Sequence, residues 1–420
     1  MSERLAIEGG PKAVPEKLPG FLDAAGRTFG VEEEQLVIEA LRSGCLSKNG
    51  GTMVKRLEAE FARALGLPYA VACSSGTASV HLAVAALNLE PGDEVIVPPI
   101  TDIGSIMPVL WQNAVPVFAD VDARTLVLDP GAVERAISPR TRAVMAVHLA
   151  GLPSPMNDLV RVCRSRGIAL IEDCSQAYWA ESDGRLAGTM GDIACFSLQQ
   201  TKHMTCGEGG LVVTADRSYF ERAVLFGDKA WPRESGSLGS CRFLFLAQNY
   251  RMSELAGAVA LAQLGKVRDT VSRRRAAAAA LTKALDGIAG VSAPFVPLGA
   301  NPSWWLYMLR VDSRIAGVSV QQFGDALVAE GVPAWVRYIV DPLYLSPIFT
   351  GPRTYGTSGY PFSEFGRQHF ERGLCPVAEA ALDEVIAIHW NENYTAAHVE
   401  QIAGAVRKVA GCFAATGAGR

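Results

Sequence analysis

Basic residues are not in excess: 39 Lys and Arg stand against 43 Asp and Glu, a formal net charge of -4 over 420 residues. Without a basic stripe to neutralise phosphates the chain is a poor match to nucleic acid, and any phosphate it recognises is expected to be small and locally held. C-x-x-C pairs are missing as well. The nine cysteines, at 45, 73, 163, 174, 195, 206, 241, 375 and 412, are odd in number, and Cys73 and Cys195 lie in apolar runs. That argues against a disulfide framework or zinc site and for reduced, buried thiols in the cytoplasm. No uninterrupted apolar run approaches membrane-spanning length, and the N-terminal MSERLAIEGGPKAVPEK lacks the apolar core of a secretory signal, so a soluble intracellular protein is expected. Also absent are the H-E-x-x-H metal spacing, internal repeats and low-complexity segments.

What is present is ordinary globular composition, 49% hydrophobic and 20% charged, in a chain long enough for two domains. The first thirty residues, rich in Gly, Pro and charge, read as an arm that packs on something else. Helical spacing follows at 31–41 and 54–65, broken by SGCLSKNGG. Then strand and helix alternate: strands at 69–73, 94–98, 114–119, 142–148, 168–173, 192–196 and 210–214, helices at 78–89 and 159–166. β-branched apolar runs separated by helices predict a mostly parallel sheet covered on both faces, an α/β fold whose ligands sit outside the carboxyl ends of the strands. A long helix after Asn249 runs through Leu285, and the change of pattern beyond it sets the expected division: arm 1–30, large domain 31–265, small C-terminal domain 266–420. In the last, a strand at 304–311 and helices at 319–330 and 395–410 are expected, with an irregular loop at 338–363 and an unstructured tail, AATGAGR.

Three motifs can carry chemistry. SSGT at 74–77 places hydroxyls and a glycine at a helix N-terminus, which is either a phosphate seat or an ordinary helix cap. Glu172-Asp173 ends the strand GIALIED, either to pair with a cationic ligand group or to cap a turn. Lys202 lies in FSLQQTKHMTCGEGG between Ser197 and a glycine-rich turn. It is either a surface amine or a partly desolvated one with a lowered pKa, fit to form a Schiff base. An anion seat, a carboxylate and an amine on one sheet rim are what pyridoxal phosphate requires for its phosphate, its ring nitrogen and its aldehyde.

On these residues, and on SGCLSKNG, SSGTASVHLAVAALNLEPGDEVIVPP, VHLAGLP, IEDCSQA, FSLQQTKHMTCGEGG, NYRMSELAGAVALAQL and CPVAEA in that order, the chain resembles the DegT/DnrJ/EryC1/StrS family of fold-type-I aminotransferases acting on keto-sugars and keto-cyclitols. The resemblance implies that Lys202 holds pyridoxal 5'-phosphate covalently and that Asp173 pairs with its ring nitrogen. It further implies that Gly76, Thr77 and Ser197 hold its phosphate and that Gln176 lies by its ring hydroxyl. Asn249 would serve the phosphate site of the neighbouring subunit, making a homodimer with shared active sites.

Departures from the family pattern stand at Asp102, where a ring-stacking aromatic is usual, at Tyr178 and at Tyr344, each in place of a histidine. They put substrate contacts in question. A lysine at 202 where sugar-dehydrating relatives have histidine implies transamination. Gln199-Gln200 and HWNENYT resemble the branch aminating cyclitols and aminoglycosides in antibiotic pathways, with glutamine or glutamate as donor. Rival readings are an aminotransferase for nucleotide-linked keto-sugars, a dehydratase or eliminase, and a cofactor-binding regulator. Trp304, Trp305 and Tyr307 are expected in the core rather than a sugar pocket. Arg251 and Arg337 are either substrate anchors or structural ion pairs, and His148 and His203 are packing residues.

Overall fold

The computed structural model describes residues 4–233, 242–351 and 353–417; Cys241 and the last three residues lie outside them. Seven strands form the central sheet: β1 (Tyr69–Cys73), β2 (Glu94–Val97), β3 (Val115–Phe118), β4 (Thr141–Val147), β5 (Ala169–Asp173), β6 (Ile193–Ser197) and β7 (Gly210–Thr214). Their spatial order is β1-β7-β6-β5-β4-β2-β3. Only β7 runs antiparallel to its neighbours, and the remaining pairings are parallel. Helices cover both faces, so these strands are buried on both sides and read as continuous apolar runs rather than as alternation. Because β1, β5 and β6 point the same way, Ser74, Asp173 and Ser197 emerge on one rim.

The helix Gly76–Ala86 starts directly after β1, and Ser75 caps it by accepting the Ala78 N–H at 3.0 Å. A second body is built on an antiparallel sheet of Val291–Ser292, Leu306–Val311, Val385–His389 and Ala334–Val336. Leu5, Val14 and Leu18 of the N-terminal segment are buried in its core. Glu330 fastens that segment by accepting the Ala6 and Ala13 N–H groups, each at 2.8 Å. The expected change of body at residue 265 falls inside an unbroken helix, Glu254–Ala284. Its small residues do pack tightly: a Cβ on Gly257 would come within 2.7 Å of Val54 Cγ2.

Two expectations need correction. The tail is helical through Gly417, continuing the helix from Ala396, because Ala-rich sequence propagates a helix already held by packing. The loop 338–363 contains short helices at Leu343–Leu345, Pro347–Thr350 and Phe362–Phe365. Among the described residues no helix is long and apolar enough to cross a membrane. Cys73, Cys163, Cys174, Cys195 and Cys375 are free thiols and buried.

Candidate active site

One cleft at the carboxyl rim of the sheet is lined by Gly76, Thr77, Asp173, Gln176, Ser197 and Lys202. Its volume is about 500 Å³, within the range of small-molecule and cofactor sites. Strand alternation separates the two acids that end β5. Asp173 turns to the cleft, where its Oδ2 accepts from Ser105 Oγ at 2.7 Å and its Oδ1 from the Ser175 N–H at 3.0 Å. Glu172 turns away and is fully buried. It accepts from the Gly188, Met190 and Gly191 N–H groups and sits 3.0 Å from His148 Nε2. Only Asp173 is free to meet a cationic ring nitrogen.

At the helix N-terminus, Gly76 is dictated by close approach: a Cβ there would lie 2.6 Å from Ser197 Oγ. The first turn, with the Thr77 and Ser197 hydroxyls, forms a cradle of N–H and O–H donors. Gln176 bridges the rim, its Oε1 accepting from the Ala150 N–H at 2.7 Å and its Nε2 donating to the Tyr338 hydroxyl at 2.9 Å.

Lys202 lies half-buried beneath an aromatic lid, with Nζ 3.9 Å from the Trp305 ring centroid. Burial lowers its pKa to about 8, although the Asp173 and Asp102 charges oppose the shift. A lowered pKa means the neutral, nucleophilic amine forms above about pH 8 rather than near the ordinary lysine value. Adduct formation between the cofactor-free protein and a simple aldehyde at Lys202 should therefore rise with a midpoint near pH 8, as read by borohydride trapping and peptide mapping. A midpoint near 10 would contradict the desolvated site.

Other expectations divide. Tyr307 is core, and Trp304 is stacked on it at 5.5 Å. Trp305, however, lines the cleft, because Trp304 takes a left-handed backbone turn (φ 56°) that ends strand alternation before it. Arg251 is ion-paired with Asp228 and Arg337 with Asp383 at 2.6 Å, so both are structural. His203 is buried and donates to the Ser303 carbonyl. Tyr178 donates to the Ser197 carbonyl at 2.9 Å and Tyr344 to Glu379. These two substitutions thus sit behind the site rather than against substrate. Asp102 does line the cleft, its Oδ1 accepting the Gly104 N–H at 2.7 Å. Gln199 lines the cleft, its Oε1 accepting from the Thr201 N–H and hydroxyl, while Gln200 turns away and donates to the Phe21 carbonyl. Asn249 lies outside the cleft on an exposed segment.

Sequence reasoning missed Phe21, Ser105, Trp335 and His389, which also line the cleft. Only His389 had a signal, as the first residue of HWNENYT.

The residue set fits pyridoxal phosphate: a glycine-backed donor cradle, a carboxylate oriented by two donors, and a desolvated amine share one rim. Comparisons with known proteins agree. The sequence pattern of the DegT/DnrJ/EryC1/StrS aminotransferase family matches residues 28–407. The spore coat polysaccharide biosynthesis protein SpsC of Bacillus subtilis is 34% identical over 354 residues, covering 82% of this chain and 90% of SpsC. A putative L-glutamine:3-amino-2,3-dideoxy-scyllo-inosose aminotransferase of Streptoalloteichus tenebrarius is 33% identical over 425 residues, covering 97% of this chain and 98% of that protein. Among solved structures, S. venezuelae DesV superposes with a TM-score of 0.80 at 29% identity, covering 90% of this chain and 94% of DesV. The chain belongs to the DegT/DnrJ/EryC1/StrS aminotransferase family and is a fold-type-I, pyridoxal-phosphate-dependent aminotransferase.

Proposed function

We propose that this aminotransferase moves an amino group from glutamine or glutamate to a ketone on a cyclitol or aminoglycoside ring in antibiotic biosynthesis. Charge at the cleft is the observation that carries the choice of acceptor. Among the described residues its lining includes three carboxylates, Asp102, Asp173 and Glu208, and one Lys or Arg side chain, that of Lys202. Such a wall suits a neutral or aminated ring and offers nothing from this chain to a diphosphate, whose two or more negative charges would face like charge. Whole-length identity to an aminocyclitol aminotransferase supports the same acceptor.

When bound, pyridoxal phosphate supplies an electron sink for the carbon that carries the amine. In this reading Lys202 would hold the cofactor, and its Nζ, when not so engaged, would be the base that holds and moves a proton at the substrate carbon. Asp173 keeps the ring nitrogen protonated, and Ser105 and Ser175 fix the carboxylate that does so. Gly76, Thr77 and Ser197 would hold the phosphate, Gln176 would serve the ring hydroxyl, and Trp305, 3.9 Å from Nζ, covers the amine.

A homodimer is part of the proposal. Asn249 follows an exposed apolar run, Phe243, Leu244 and Leu246, which a second copy would cover while Asn249 reaches its phosphate site.

Purified enzyme with glutamine as donor should aminate a keto-cyclitol or keto-aminoglycoside in step with donor consumption. A preference for nucleotide-linked keto-sugars by tenfold or more in kcat/KM would overturn the acceptor.

A further inference from the structure

The loop that carries Lys202 is not held by its own backbone alone. Between β6 and β7 it makes one tight turn, the Lys202 N–H donating to the Gln199 carbonyl at 2.9 Å. Three consecutive carbonyls of that turn, at residues 200–202, are each taken by a side chain from elsewhere. Gln200 accepts from Arg27 Nη2, Thr201 from Trp305 Nε1 at 2.9 Å, and Lys202 from Arg27 Nη1 at 3.1 Å.

Arg27 belongs to a strap, residues 21–27, folded hard on itself. Its Nε donates to the Phe21 carbonyl at 3.0 Å, and a Cβ on Gly26 would sit 1.9 Å from the Gly20 carbonyl oxygen. The outer side of the strap is tied down by HWNENYT. Asn391 Nδ2 donates to the Gly26 carbonyl at 3.1 Å and Asn393 Nδ2 to the Ala25 carbonyl at 2.8 Å. Between these asparagines, Glu392 pairs with buried Arg274 at 2.6 Å, and Arg274 donates to the Trp304 and Trp305 carbonyls.

We infer that Arg27 is a positioning residue for Lys202, clamping the two carbonyls that set the backbone from which the reacting amine projects. This rests on Lys202 being that amine. A guanidinium is required because one planar fork reaches three carbonyls at once, whereas an ammonium is a point donor on a flexible stem. Arg27 is 8% exposed, and burial lowers its pKa to about 10, with Glu392 opposing the shift. It therefore stays charged at neutral pH, and its hydrogen bonds are charge-assisted ones shielded from water.

The test compares wild type, Arg27→Ala, Arg27→Lys and Asn393→Ala as holoenzymes. Both Arg27 variants should melt within a few degrees of wild type and lose kcat on the order of 10²-fold, the scale set by a misplacement of about 1 Å. Donor KM should stay within about threefold, since uniform binding is untouched. The pH midpoint of the bound cofactor's absorbance should move, and amides 199–206 of the cofactor-free protein should exchange faster with deuterium. Asn393→Ala should show the same changes in smaller measure. Wild-type kcat and absorbance midpoint in a folded Arg27 variant would overturn the inference, as would full rescue by lysine, which would reduce Arg27 to a buried charge. If neither Arg27 variant folds, unchanged kcat, midpoint and exchange in Asn393→Ala overturn it. Failure of Lys202 itself as the reacting amine shows separately, as retained turnover in Lys202→Ala.

Discussion

Lys202→Ala is expected to keep the fold and bind cofactor while turnover falls by roughly 10⁴-fold or more, the full range attributed to a positioned acid-base group. The substitution removes two functions, covalent attachment and proton transfer at the substrate carbon. The fold should survive because the interactions of the loop run through the carbonyls of residues 200–202, not through Nζ. Borohydride trapping should yield no adduct on the loop peptide, and a small primary amine added to the buffer should restore part of the rate. A variant that kept its rate would remove Lys202 from the chemistry.

Asp173→Asn should leave the cofactor bound and the fold intact while lowering kcat by about 10³-fold. The figure follows from the sink. If the carboxylate raises the ring nitrogen by about three pKa units, it favours the protonated form by about 4 kcal/mol, and losing that preference at the transition state costs about three decades. Asn preserves the shape: its amide oxygen can accept the Ser175 N–H in place of Oδ1, while its NH2 donates to Ser105 Oγ, whose hydroxyl can turn toward Thr101 Oγ1, so the loss reports mainly the charge. The absorbance of the bound cofactor should respond along with the rate. A rate within threefold of wild type would mean that another group protonates the ring.

The sheet was legible because parallel strands buried on both faces advertise themselves as unbroken apolar runs; β1 and β7 occupy the expected residues 69–73 and 210–214. The antiparallel direction of β7 was not, since direction is decided by connection length and by partners far away in the chain. Within the site, Gly76, Asp173 and Lys202 could be found because each ends or follows a strand, where function collects. Phe21 and Arg27 could not, and Trp305 was visible as an aromatic but read as core. Phe21 and Arg27 lie in the N-terminal strap and Trp305 beyond the long helix. They reach the Lys202 loop only through tertiary packing, and no local spacing marks them. Gln199 and Gln200 divide: Gln199 lines the cleft beside Lys202, whereas the Gln200 side chain donates to the Phe21 carbonyl of the strap.

Gly76 and Ser197 bear on how such a site can diversify. A methyl group at position 76 would fall 2.6 Å from the serine hydroxyl, so the two positions have no slack between them and one cannot drift in size while the other stays. A change of acceptor is therefore sought in the cleft's outer wall, at Asp102, Trp305 or Trp335, where a new side chain meets open space rather than Ser197.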